Sequence, residues 1–199
     1  MMLIDEAGVP DGALPVAEFT AHLRLGTGFA AESLQEPVLR SFLRAAITAI
    51  EARTGKALIR RVFALSVEGW AAPDAHPLPV APVAALVSLA LRDRAGAETA
   101  VGLDGVWLSE DAHRPVLRAT ATALPAIPKA QRAVLRFEAG YAAAWAGLPA
   151  DLGQAVLLLA AHYYEYRDAT SLGGGCMPFG VTSLIERYRA LRLGAGACR

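Results

Sequence analysis

Apolar positions recur along the chain with two different periods, and the change from one to the other divides it into regions. In 33–55, Leu39, Phe42, Leu43, Ala46, Ile47 and Ile50 follow i, i+3, i+4, i+7, i+8, i+11. That is a single apolar stripe on a helix. Arg40, Arg44, Glu51 and Arg53 lie mostly off it. Ser33 and Glu36 have capping-box spacing, Pro37 falls in the first turn, and Thr54-Gly55 closes the helix as a C-cap.

The stretch LPADLGQAVLLLAAHYYEYRD, 148–168, is the run on which the rest of the chain is organised. Pro149 suits a first helical turn, and Asp151 places negative charge at the positive end of the macrodipole. Leu152, Val156, Leu159, Tyr163 and Tyr166 share one face. Leu157, Leu158 and Ala161 lie opposite, so the helix is apolar nearly all round and is expected to be buried on all sides. Either it forms the centre of a helical bundle, or one face packs inside the subunit and the other against a neighbouring chain. Asp151, Glu165, Arg167 and Asp168 shorten its uncharged stretch below a membrane span. Tyr163, Tyr166 and Arg167 join large contact areas to polar tips, as interface residues do.

From 57 to 141 the period becomes 2. Phe63, Leu65 and Val67 alternate with Ala64, Ser66 and Glu68; Val87, Leu89 and Leu91 alternate with Ser88, Ala90 and Arg92. Val106–Leu108, Val116–Arg118 and Val134–Glu138 are further short runs. Turn signals at 72–74, 94–96, 104–105 and 126–128 separate them, which predicts antiparallel β structure. Pro77, Pro79 and Pro82 exclude 76–83 from a central strand, leaving an extended edge or connection.

Outside these regions, 1–14 reads as an arm or loose strand and 14–25 as a short helix entered at Pro15. The sequence ATSLGGGCMPFG, 169–180, reads as a flexible loop, and 181–193 as a last helix with Leu184, Ile185, Tyr188, Leu191 and Arg192 on one side. The expected fold is α+β: an antiparallel bundle of about four helices, with an antiparallel β-sheet region inserted. The expected divisions are an N-terminal helical region (1–56), a β insertion (57–141) and a C-terminal helical region (142–199), together one composite domain with a β subdomain.

The charge balance excludes some classes of function. Nineteen basic residues match nineteen acidic ones, against the basic surplus of a general nucleic-acid or anionic-membrane binder. Asp5 and Glu6 follow Met1–Ile4 directly, so no secretory leader is expected. Cys176 and Cys198 are expected to be free thiols. His22, His76, His113 and His162 lie far apart and form no metal-ligand motif. Asp111, His113 and Arg114 sit too close along the chain to converge on a substrate and read as a hairpin loop. The glycines at 173–175 follow a helix and precede no Lys, which argues against a phosphate-binding loop. The chain is therefore expected to be no enzyme and to hold no cofactor and no metal.

The order LPVAEFTAHLRL, SFLRAAITAIEARTGKAL, PLPVAPV, VLRFEAGY, LPADLGQAVLLLAAHYYEYRD, MPFGVTSLIERYRALRL resembles the head–tail connector (adaptor) family of long-tailed bacteriophages. Within it, the sequence is most similar to the version carried by gene transfer agents of α-proteobacteria, which are phage-derived particles. The resemblance covers nearly the whole chain. Its most specific pieces are Ile50-Glu51, Thr54-Gly55, Pro77–Val83, Ala139-Gly140-Tyr141, and Pro149–Leu152 running into His162–Tyr164. These are packing and turn motifs, so no active site carries over.

The resemblance implies a virion protein forming a ring in the neck, twelvefold in such particles. The ring would lie between the portal protein and a tail-side stopper or terminator, with DNA passing through its lumen without specific binding. The particle would be assembled in the bacterial cytoplasm, with no membrane involved. The resemblance also implies a C-terminal segment set against the portal, and 181–199 carries Arg187, Arg189, Arg192 and Arg199 against Glu186 alone. The expected surface toward the portal or a neighbouring subunit is Leu157, Ala161, Tyr163, Tyr166, Arg167, Leu184, Arg187, Tyr188, Arg189, Leu191 and Arg192. Alternative readings are another neck protein, such as a stopper or tail-completion factor, and a small cytoplasmic enzyme with an unrecognised site.

Overall fold

A computed structural model describes residues 1–25, 35–166 and 177–189. The chain is α+β. In order its elements are β1 (Met2–Asp5), α1 (Val16–His22), α2 (Glu36–Thr54), β2 (Arg61–Val67), β3 (Ala75–Pro77), β4 (Val83–Arg92), β5 (Glu98–Val101), β6 (Val106–Ser109), β7 (Val116–Ala119), β8 (Arg132–Ala139), α3 (Ala150–Glu165) and α4 (Phe179–Ile185). No described helix is long and apolar enough to cross a membrane.

The helices pack around one apolar core. Leu39, Leu43, Ile47 and Ile50 of α2 meet Leu152, Val156 and Leu159 of α3, with Phe19 of α1 and Val181 and Ile185 of α4. The α2 stripe is buried as its spacing predicts. Gly55 ends that helix at φ 69°, a left-handed conformation that glycine adopts without a Cβ penalty. Ser33 of the expected capping box lies outside the described residues.

The strands form two antiparallel sheets, one in the order β1-β2-β8-β4-β5 and one in the order β3-β7-β6. Phe63, Leu65, Leu135 and Phe137 of the first share a second core with Val106 and Leu117 of the second. The arm expected at 1–14 contributes a paired edge strand, with Met2 opposite Ser66 and Asp5 opposite Phe63. Pro77 lies on β3, at the edge of the small sheet, where a residue lacking an N–H is tolerated. The pattern does not foresee β5, because ETAV carries no apolar alternation.

The expected phase of β4 needs correction at Val87. The register slips between Leu86 and Ser88, so a bulge turns Val87 out to solvent while Leu89 stays in the core. A bulge adds one residue and shifts every side chain beyond it to the other face.

The two cores meet where the chain enters and leaves the β region. Arg60 N–H donates to Ala142 O at 2.8 Å, Gly140 N–H to Pro82 O at 2.9 Å, and Tyr141 N–H to Leu58 O at 3.1 Å. Arg61, buried at this joint, binds Glu51 through both terminal nitrogens at 3.0 and 2.7 Å and Asp5 through Nε at 2.6 Å. One guanidinium thus ties α2, β2 and the end of β1 together.

Candidate interaction surface

The surface expected from the sequence lies on α3 and on the segment after it. On α3 the fully buried positions are Leu152, Ala155, Val156, Leu159 and Ala160, the i, i+3, i+4, i+7, i+8 pattern of a helix with one inward face. Leu157, Leu158 and Ala161 lie on the other side and are half-buried in the single subunit. The expected inward stripe therefore ends sooner than predicted. Tyr163 is half-buried and Tyr166 is exposed. The His162 ring lies 4.7 Å from that of Tyr166, while Tyr164 turns back against Phe42 in an edge-on pair at 6.0 Å.

The last helix also differs from expectation. It begins at Phe179, with Pro178 ahead of it, and ends at Ile185. A single tight turn follows from Glu186 to Tyr188, and Arg189 is already extended at φ −70°, ψ 135°. The predicted helix to 193 is thus broken at Arg189. Leu191, Arg192 and Arg167 lie outside the described residues, as do the Gly173–Gly175 loop, Cys176 and Cys198.

Tyr188, expected as an outward anchor, is buried in the chain's own helical core beside Val181 and Ile185. Its ring meets Tyr141 edge-on at 5.8 Å. Burial raises the Tyr188 phenol above its usual range, and the hydrogen bond to Asp151 adds to this. Burial likewise pushes Tyr141 up to about 12. Leu184 is half-buried against the same core.

Arg187 and Arg189 each have a partner within the chain. Arg187 Nε lies 2.9 Å from Asp151 Oδ2, with its guanidinium 4.8 Å above the Tyr188 ring, and Arg189 lies 3.0 Å from Glu186. Both remain exposed, so these contacts can be exchanged for others at little cost.

α4 packs on α3. Among the described residues they present together a partly exposed strip made of the outer side of α3, its tyrosine-bearing end and the two arginines. Sequence reasoning missed the most exposed aromatic of this region, Phe179, 88% accessible. Its signal was Pro178, which marks a helix start and puts Phe179 outside the Val181–Ile185–Tyr188 spacing.

The polar groups elsewhere have local roles. Asp111 Oδ1 accepts the backbone N–H groups of His113 at 2.7 Å and Arg114 at 2.6 Å, closing the loop between the paired strands β6 and β7. His76 is buried, and its Nδ1 accepts the Ala71 N–H at 3.0 Å.

No protein-family model and no curated protein matches the chain. Chains of solved structures do, among them the following. A structure described as the neck of an empty GTA particle, computed with C6 symmetry, is 51% identical at a TM-score of 0.88. The virion of a native gene transfer agent (GTA) particle contains a chain 50% identical at 0.84. The neck of a native GTA particle, computed with C12 symmetry, contains one 47% identical at 0.82. Each match covers 98% of this chain and 99% of the other.

Proposed function

The chain belongs to the family of gene transfer agent neck proteins, and from that membership we propose that it is the adaptor of such a particle. The observation that carries the reading is 51% identity to a neck chain along essentially the full length of both. In this reading it is a structural component of the virion, with no reaction of its own.

Twelve copies form a ring between the portal protein and a tail-side stopper or terminator, and DNA passes through the lumen. The C12 symmetry of a related neck supports the number. The equal counts of acidic and basic residues suit a channel in which DNA slides, since every neutralised phosphate adds affinity. Assembly takes place in the bacterial cytoplasm.

Within the subunit, the described helices of 1–56 and 142–199 form an antiparallel bundle carrying the contact strip, and 57–141, joined by β1 at its edge, is a β subdomain. Leu157, Ala161, Tyr163, Tyr166, Phe179 and Leu184 are the apolar positions available to a neighbour or the portal. Arg187 and Arg189 rim them.

Electron microscopy of the purified chain mixed with its portal protein tests this. The expected image is a ring stacked on one end of the portal. A chain that remains monomeric beside intact portal rings, and is absent from purified particles, overturns it.

A further inference from the structure

We infer that the outer edge of β1 receives a strand from a second copy of this chain, and that the strand is the neighbour's β5. The inference rests on the ring reading above, and four observations carry it.

Among the described residues the edge is unguarded. Met1, Met2, Leu3 and Ile4 are 80, 47, 36 and 44% exposed. Proteins protect free edges with Lys, Pro, bulges or a covering element; Met2–Asp5 has no Lys and no Pro, and its pairing with β2 runs without a register shift.

The edge also presents its backbone outward. Glu6 N–H donates to Val62 O at 3.2 Å. Pairing in an antiparallel ladder alternates, so Ile4 and Met2 bond inward to β2 while Leu3 and Asp5 turn their N–H and C=O groups away from the sheet.

The edge is held in place. A short strand paired on one side is marginal, yet β1 ends in Asp5, whose Oδ2 accepts Arg61 Nε and whose Oδ1 accepts the Gly8 N–H at 2.8 Å. The Arg61–Asp5 pair, at 2.6 Å, holds the end of β1 against β2. Here the geometry fixed is that of an open strand.

Strand direction selects the partner. All four pairings of the large sheet are antiparallel, so its two edge strands, β1 and β5, run the same way. Among the described residues β5 pairs with β4 alone and, like β1, has four residues. Its one carboxylate, Glu98, is engaged by Arg92 and Arg136. A head-to-tail contact of the kind that closes a ring joins one edge to the opposite edge of the next copy, giving a parallel β1–β5 pair. A β1–β1 contact would be antiparallel and twofold, and would stop at a dimer.

Cysteine pairs in full-length chains assembled into necks provide the test, with Cys176 and Cys198 replaced by Ser. Leu3→Cys combined with Thr99→Cys or Ala100→Cys should give, on oxidation, a ladder of cross-linked species rising toward the full ring, with neither single variant doing so. Leu3→Pro should remove only the outward N–H: the isolated subunit keeps its circular dichroism and melting temperature, and ring formation is lost. Rings of parent chain without cross-linking, Leu3→Pro rings at the parent yield, or dimers from Leu3→Cys alone would each overturn the inference and leave the ring reading standing. If the parent chain forms no ring in the neck, the ring reading itself fails and this inference falls with it.

Discussion

The Tyr188 hydroxyl donates a 2.7 Å hydrogen bond to Asp151 Oδ1, joining residues 37 positions apart. Asp151 sits in the first turn of α3, and Tyr188 closes the tight turn after α4. The bond therefore fastens the C-terminal segment to the start of the central helix. Tyr188→Phe removes one buried donor and leaves Asp151 its contacts with Arg187 and the Leu152 N–H. The expected loss is about 1–2 kcal/mol, read as a fall of a few degrees in Tm. An unchanged Tm would return Tyr188 to the outward role its sequence position implies.

Gly140 stands where two chain segments nearly touch. At φ 140° it has a conformation that other residues rarely adopt, and a Cβ there would lie 2.5 Å from both the Cα and the nitrogen of Arg60. Backbone on both sides cannot yield as a side-chain tip would. Gly140→Ala should cost about 3 kcal/mol or more and give little soluble protein. Gly180→Ala, where nothing lies within 4 Å, is the control, and comparable yields for the two variants would refute the account of this joint.

Glu98 responds to acid. Its bonds with Arg136 and Arg92 hold the carboxyl well below its usual value of 4.5, at about 2. A depressed carboxylate contributes stability that is present in full above its unfolded value and lost as pH falls through the folded one. The loss from this group therefore falls between about pH 4.5 and 2. The carboxylate is partly accessible, so the effect is modest and declines with salt. Thermal melts of Glu98→Gln should show less change over this window than the parent, and parallel curves would contradict the assignment.

Ala161 tests whether the outer side of α3 belongs to the assembly. It is half-buried in the single subunit, so a glutamate there can reach water. In a closed contact the same charge would be buried without a partner. Ala161→Glu should leave the purified subunit folded, with a cooperative melt, and abolish its incorporation into particles. An unfolded subunit would assign the face to the intramolecular core.

What the sequence revealed depended on how local each signal was. α2 and the inward face of α3 could be read because a 3.6-residue period and a terminal Gly55 or Pro149 are written within one element. The bulge at Val87 could not, since the slip arises from pairing with β8, a strand far along the chain. The turn after Ile185 brings Tyr188 to Asp151, again a remote contact. The candidate surface divided in the same way. The outer side of α3 followed from its pattern, while the inward turn of Tyr188 and the engagement of Arg187 by Asp151 required the fold. Phe179 escaped because an exposed aromatic at a helix start obeys no period.

The central claim is that this chain joins head to tail. Deleting its gene in a producing strain and counting particles by electron microscopy tests that most directly. The account predicts DNA-filled heads without tails, with tailed particles restored by the parent chain supplied in trans. Tailed particles formed at the usual frequency in its absence would contradict it.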